Sequence, residues 1–315
     1  MTNKLTFTGT VLALLLCIPN TSFSEIKYNN NTHIQYSIYV SGQYKPSVSN
    51  FRNFSVKETN TYTKNLIGVK KDITSLEVHT NNNKPIVSRR NPNPGPTIKA
   101  TGISHPSNFN IPYNPEFQDN IINFSGTIGY QFSKSKRIEI EGSYKIFDVK
   151  DPGGYMLYDA YRYFALAREM NDTKFEPKPY QLDNVFNNFY HTVMKNTGLS
   201  IISVMINGCH DFHVNELKIS PYICAGVGIN TIEFFDTSHI KFAYQGKIGI
   251  SYPLSNNIKV FSNGYYHKVA GNKFKNLEVI HVANLHNAPW YTSAIATLNI
   301  GYFGAEVGIR LGLKL

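Results

Sequence analysis

Between His239 and Tyr252 apolar and polar positions alternate almost without a break. Ile240, Phe242, Tyr244, Gly246, Ile248, Ile250 and Tyr252 fall on one parity; Lys241, Ala243, Gln245, Lys247, Gly249 and Ser251 fall on the other. Alternation sustained over about ten residues predicts a strand with one apolar and one polar face. The same pattern recurs in Ile138, Ile140, Gly142, Tyr144 and Ile146 against Arg137, Glu139, Glu141, Ser143 and Lys145. It recurs in Ile122 to Gln131 and in Gln35 to Tyr44, and less cleanly in 198–211, 217–229 and 257–268. In 291–315 the apolar residues Ala294, Ala296, Leu298, Ile300 and Tyr302 give way to Val307, Ile309, Leu311, Leu313 and Leu315 on the opposite parity. One inserted residue near Gly304 would produce that flip, so a β-bulge is expected there.

These segments make eight strands, and their spacing decides the architecture. The connections 133–136, 212–216 and 253–256 are short, whereas 45–119, 150–197, 230–238 and 269–290 are mostly much longer. Short and long connections alternate, as they do in outer-membrane barrels with short periplasmic turns and long external loops. A soluble sandwich has no reason to sort its loops by parity. The expected fold is therefore all-β, a transmembrane antiparallel up-and-down barrel with both termini on the periplasmic side. Eight strands are favoured, with ten or twelve as the alternatives. Thr61 to Asp72 also reads as a strand and is assigned to the first external excursion.

The N-terminus adds an export signal. Lys4 precedes the apolar run Val11 to Ile18, which Pro19 ends. That run is the length of a signal-peptide core and too short to span a bilayer. Ser22 and Ser24 place small residues for cleavage after Ser24, leaving 25–315 as the barrel. A lipoprotein signal centred on Cys17 is the rival, weakened by Leu16 before it. Cleavage removes one charged residue, Lys4, so the net charge falls from +10 to about +9. Charged residues are 17% and aromatics 13% of the chain, with a mean hydropathy of −0.27. This composition excludes a disordered polyampholyte, a coiled coil and a bundle of membrane helices. It suits strands whose lipid face excludes charge.

Several stretches resemble the surface-antigen family of outer-membrane proteins from Ehrlichia and Anaplasma. They include Tyr39 to Ser47, Tyr113 to Phe117, Arg137 to Tyr144, Asp159 to Arg168, Ser220 to Gly226, Tyr244 to Lys247, Gly264 to Val269 and Leu298 to Gly304. The resemblance spans nearly the whole mature chain. It implies an abundant surface antigen, with pore-forming activity in some members and loops that vary between paralogues. Two departures stand out: the Asn- and Pro-rich region 72–112, and a terminal Leu315 where the family usually ends in Phe.

No catalytic motif is present, and no enzyme activity, cofactor or metal site is expected; His210 and His213 read as turn residues. The lumen parity collects Arg137, Glu139, Glu141, Lys145, Lys218, Lys241, Lys247, Lys259, Glu306, Arg310 and Lys314. In a pore this basic excess favours anionic solutes. In a narrow eight-stranded barrel the same residues pair as an internal plug. The leading expectation is a passive porin for small hydrophilic solutes that is also a major surface antigen. The alternative is a closed barrel that displays loops for host-cell adhesion or antigenic variation. Cys209 and Cys224 fall on neighbouring strands, where export permits a disulfide; two unpaired thiols are the other reading. Lys84, Arg89, Arg90 and Lys99 lie in a basic Pro-rich loop segment, and Lys268, Lys273 and Lys275 add charge at the fourth loop. Such a rim would suit anionic host glycans or lipids, against a solvated loop with no partner. Asp159 to Met170 has helical spacing and is expected to form a lid over the barrel mouth. Expected partners are outer-membrane lipid, small solutes if the barrel conducts, and host surface molecules or antibodies at the loops. Nucleic acid is not among them, and the sequence does not set the oligomeric state.

Overall fold

The computed structural model describes residues 37–59, 63, 65–76, 102–104, 108–167, 191–212, 218–279, 281–283 and 293–313. The leader with its cleavage at Ser24, the basic segment 84–99, and Lys314 lie outside them. Eight strands form the barrel: β1 (Ser37–Tyr44), β2 (Phe124–Gln131), β3 (Lys136–Phe147), β4 (Leu199–Asp211), β5 (Ser220–Phe234), β6 (Thr237–Pro253), β7 (Ile258–Val269) and β8 (Gly301–Leu313). Each pairs antiparallel with its sequence neighbour, and β8 pairs back onto β1, so the sheet has no free edge. Closure satisfies every strand edge internally, which a strand protein in lipid requires.

The outward parity is apolar. Ile248 is 69% exposed, and Ile140, Ile206, Val227, Phe242 and Ile309 also face outward. Tyr44, Phe124, Tyr130, Phe132 and Tyr252 lie toward the strand ends, where interfacial aromatics belong. The inward parity is polar and buried. This is the fold of a transmembrane barrel. Among the described residues no helix is long and apolar enough to cross a membrane.

The short connections 132–135 and 254–257, the end of β4 at Asp211, the start of β5 at Ser220, the start of β1 and the end of β8 lie at one end of the barrel. At the other end the long excursions fold into a β-rich cap. One cap sheet joins Lys273–Glu278, Ser293–Asn299 and Arg52–Glu58. A second runs His281–Ala283, His191–Lys195, Tyr163–Ala167, Asn65–Val69 and Phe109–Pro112 in spatial order. The strand expected within Thr61–Asp72 is the Asn65–Val69 member of this sheet.

Three expectations change. Residues 230–238 are mostly strand, because β5 and β6 run on to a two-residue turn at Phe235 and Asp236. Both turn residues have positive φ, 51° and 56°, as a tight hairpin of this hand requires. A bulky residue disfavours that region, and here Phe235 is held by burial against Phe164 and Phe234. The helix expected over Asp159–Met170 is instead a single 3-10 turn, Ala160–Arg162, followed by the strand Tyr163–Ala167; residues 168–170 lie outside the described set. No bulge occurs at Gly304. The registers of β8 with β7 and with β1 run unbroken, and even-numbered residues stay inward from Ala294 to Arg310. What inverts is the interior: Ala294, Ala296, Leu298 and Ile300 line the apolar cap core, while Glu306 and Arg310 line the polar lumen.

Candidate functional site

The lumen is filled, and its centre is a four-membered charge cluster. Glu141 on β3 is 1% exposed and is paired with Lys45, which follows β1, and with Lys247 on β6 at 2.5 Å. Glu306 on β8 lies 2.6 Å from Lys45 and 3.1 Å from Lys247. The remaining acceptor capacity is also used. Asn207 and Gln245 donate to Glu141 at 3.3 and 3.1 Å, and Asn263 donates to Glu306 at 2.8 Å. Two carboxylates thus alternate with two ammonium groups drawn from four parts of the wall.

A second cluster lies toward the short-turn end. Arg137 pairs with Glu139 at 2.9 Å and also with Asp211. Arg310 reaches Glu139 at 3.3 Å, and the Tyr39 hydroxyl donates to it at 2.7 Å. Aromatic faces cover both guanidinium groups: Tyr222 covers Arg137 at 4.6 Å and Tyr39 covers Arg310 at 4.8 Å. Beside them Cys209 and Cys224, directly opposite on β4 and β5, form a disulfide. Glu139 stands close to both sulfurs, but sulfurs tied in the bridge offer no thiolate to a metal.

Toward the cap the lumen becomes aromatic. Lys145 donates to the Ser47 hydroxyl at 2.6 Å and the Lys45 carbonyl at 3.2 Å, with Tyr302 and Tyr265 rings 5.3 and 5.5 Å away. His267 stacks on Tyr302 at 4.5 Å. Above them Phe147, Ile201 and Phe234 from the barrel strands share one apolar cluster with Phe164, Phe274 and Ile300 of the cap. That cluster continues into the cap without a gap.

The lumen residues singled out by parity separate into three places. Arg137, Glu139, Glu141, Lys145, Lys247, Glu306 and Arg310 are buried inside the barrel. Lys259 is half-buried opposite Arg310 near the short-turn end. Lys241 reaches the cap, donating to the Lys273 carbonyl at 2.7 Å above the Phe274 ring. Lys218 is exposed in the 212–219 connection, outside the lumen, because β5 begins only at Ser220 and the alternation seen in the sequence extends past the end of the strand. Lys45 falls in the 45–119 connection by sequence, yet it is central to the network. Tyr39, Ser41 and Gln43 share its parity, so extending β1 by one residue finds it.

The inner cations Lys45, Arg137, Lys145, Lys247 and Arg310 outnumber the carboxylates Glu139, Glu141, Asp211 and Glu306 by one. The lumen is therefore close to neutral, and most of the basic excess lies elsewhere. Buried charges of this kind persist only when paired and hydrogen-bonded. This arrangement can hold the strands in register and block the bore.

A family profile described as Surface antigen matches residues 30–313. Major surface antigen 4 of Anaplasma marginale is 27% identical over 280 residues, covering 88% of this chain and 83% of that protein. Among solved structures, the outer membrane protein OprG from Pseudomonas aeruginosa aligns at 9% identity with a TM-score of 0.46, over 90% of this chain and 98% of that one. Neisserial surface protein A aligns at 9% identity with a TM-score of 0.34, over 89% and 97%.

Proposed function

This chain belongs to the surface antigen family, and from that premise we propose that it is an outer-membrane barrel with a closed bore, which displays its cap at the cell surface. The single observation that carries the closed reading is the filled lumen. In an eight-stranded barrel the interior is just wide enough for side chains to fill. Here the Lys45–Glu141–Lys247–Glu306 cluster fills it at mid-height and the aromatic cluster fills it again below the cap. Opening a path would separate buried ion pairs, each costing several kcal/mol to leave uncompensated. The barrel is then an anchor, and contact with the host or with antibody belongs to the cap. In this reading the chain is exported by residues 1–24, so N-terminal sequencing of the mature protein should begin at Glu25.

Planar-bilayer recording tests the closed bore directly. The refolded protein should give no stepwise conductance, and liposomes carrying it should not admit small sugars. Reproducible single-channel steps from the wild-type chain would restore the porin expectation and end this one. Protease treatment of intact cells tests display: cuts should fall in cap segments and spare 254–257.

A further inference from the structure

The cap has an outer face whose chemistry differs sharply from its core. In the three-stranded sheet Val56, Phe274, Leu277, Ala294 and Ala296 point inward and are buried. Their neighbours on the opposite parity form two rows. Register places Lys273, Thr297 and Ser55 side by side across the three strands, and Lys57 opposite Ile295 in the next row. Lys275 lies two residues along the same edge strand as Lys273. The chain at Thr63 and the strand Asn65–Val69 close the far side, enclosing a cleft of about 620 Å³. Ammonium groups therefore stand on both rims, hydroxyls lie between them, and Ile295 and Leu66 supply an aliphatic surface. Among the described residues no carboxylate lines the cleft.

We propose that this cleft binds an acidic oligosaccharide, a short sugar chain carrying sulfate or carboxylate groups. Neighbouring strands are about 4.8 Å apart, so the Lys57 rim and the Lys273 rim are roughly 10 Å apart across two strand spacings. A lone phosphate cannot bridge that span, whereas a chain with repeating charges can. Lysines act as separate point charges, without the bidentate fork with which arginine grips one planar anion. Ser55, Thr63 and Thr297 offer hydroxyls to sugar hydroxyls, and the aliphatic side chains suit the C–H face of a sugar ring. The proposal rests on the displayed-cap reading only for the ligand's source on another cell; binding itself is measured on purified protein.

The test uses the full chain refolded in detergent, with a heparin-derived hexasaccharide and uncharged maltohexaose compared by calorimetry. The hexasaccharide should bind, weakening as salt rises, and maltohexaose should not. Lys57→Gln, Lys273→Gln and Lys275→Gln combined should lower affinity at least tenfold, and the three Lys→Arg changes should restore most of it. Thr297→Val with Ser55→Ala should cost several-fold while leaving the salt dependence unchanged, which a diffuse basic surface would not produce. Lys71→Gln with Lys150→Gln, elsewhere on the cap side, should bind like wild type. Equal loss in that control, undiminished binding by the triple Gln variant, or tighter binding of an oligoglutamate peptide would each overturn the site. The protease pattern of each variant confirms that its cap is folded. Conductance steps would refute the closed scaffold and leave this binding intact; unselective binding would refute the site and leave the scaffold intact.

Discussion

The lower barrel and the cap have opposite interiors. In the barrel Glu141, Lys247 and Arg310 are inside while Ile248, Val227 and Ile309 face outward. In the cap Phe164, Phe274 and Ala296 are inside, while Lys57, Lys273 and Lys275 are exposed. One segment makes both, since even positions from Ala294 to Arg310 stay inward while their chemistry changes from aliphatic to ionic. The difference teaches that the surrounding solvent sets the interior. Lipid accepts the apolar residues on the barrel wall and leaves polar groups to satisfy one another inside. Water around the cap drives apolar residues inward.

The comparison breaks most visibly at its charged centre. Glu141→Ala leaves Lys247 buried with one carboxylate partner fewer and removes a partner from Lys45, so about 3–5 kcal/mol should be lost. Urea titration of the refolded barrel would read this as an earlier midpoint. Adding Lys247→Met should recover part of the loss, because removing both charges costs less than stranding one. A midpoint unmoved by Glu141→Ala would mean that the lumen is wet. Phe164→Ala should cost about 3 kcal/mol through a cavity, and the damage should stay in the cap. New protease cuts near Tyr163–Ala167 with unchanged heat-modifiable gel mobility would show that confinement; loss of barrel mobility would show the two interiors to be one cooperative unit.

Smaller effects sharpen the contrast in solvents. Ile248→Lys puts a charge on the lipid face and should destabilise by about 2–4 kcal/mol. Met156→Lys, at a position 70% exposed beside the cap, should stay within about 0.5 kcal/mol. The same pair of urea curves distinguishes them. The smallest effect concerns acid. Partial burial pushes the Asp148 carboxyl up, but hydrogen bonds from Arg162 at 2.5 and 2.8 Å prevail and hold it below the usual carboxylate range. A depressed group stabilises fully above the unfolded value, about pH 4, and that contribution fades as pH falls further. Because the carboxyl is partly exposed, it should amount to less than about 1 kcal/mol. Wild type and Asp148→Asn should therefore differ slightly in cap proteolysis at neutral pH, and the difference should shrink as pH is taken below about 4.

How far each region could be read from sequence follows from the same physics. A barrel strand has lipid on one side and polar neighbours on the other, so its period of two persists for ten residues or more. The strand Tyr163–Ala167 has no such asymmetry. Phe164 and Leu166 pack into one cluster and Ala165 into another, and a strand buried on both faces cannot be told from a helix by its pattern. The apparent flip near Gly304 was the sequence passing from one interior to the other. Lys45 falls outside the strand read from sequence because it lies just past Tyr44, the last residue of the alternating run, at the first position of the 45–119 connection. The rows of lysines and hydroxyls on the cap sheet come from Arg52–Glu58 and, more than two hundred residues later, from Lys273–Glu278 and Ser293–Asn299, and only register brings them together.

The interleaving of the cap strands has a consequence for immunity and variation. The first excursion supplies Arg52–Glu58 to one sheet and Asn65–Val69 to the other, and the last supplies members to both. An antibody raised against the cap would therefore recognise a discontinuous epitope assembled from separate excursions, and a synthetic peptide copying any one of them would be a poor immunogen. Sequence drift is constrained in the same way: a change in one excursion must remain compatible with partners encoded far away, so the variable parts of such an antigen are expected to change as a set.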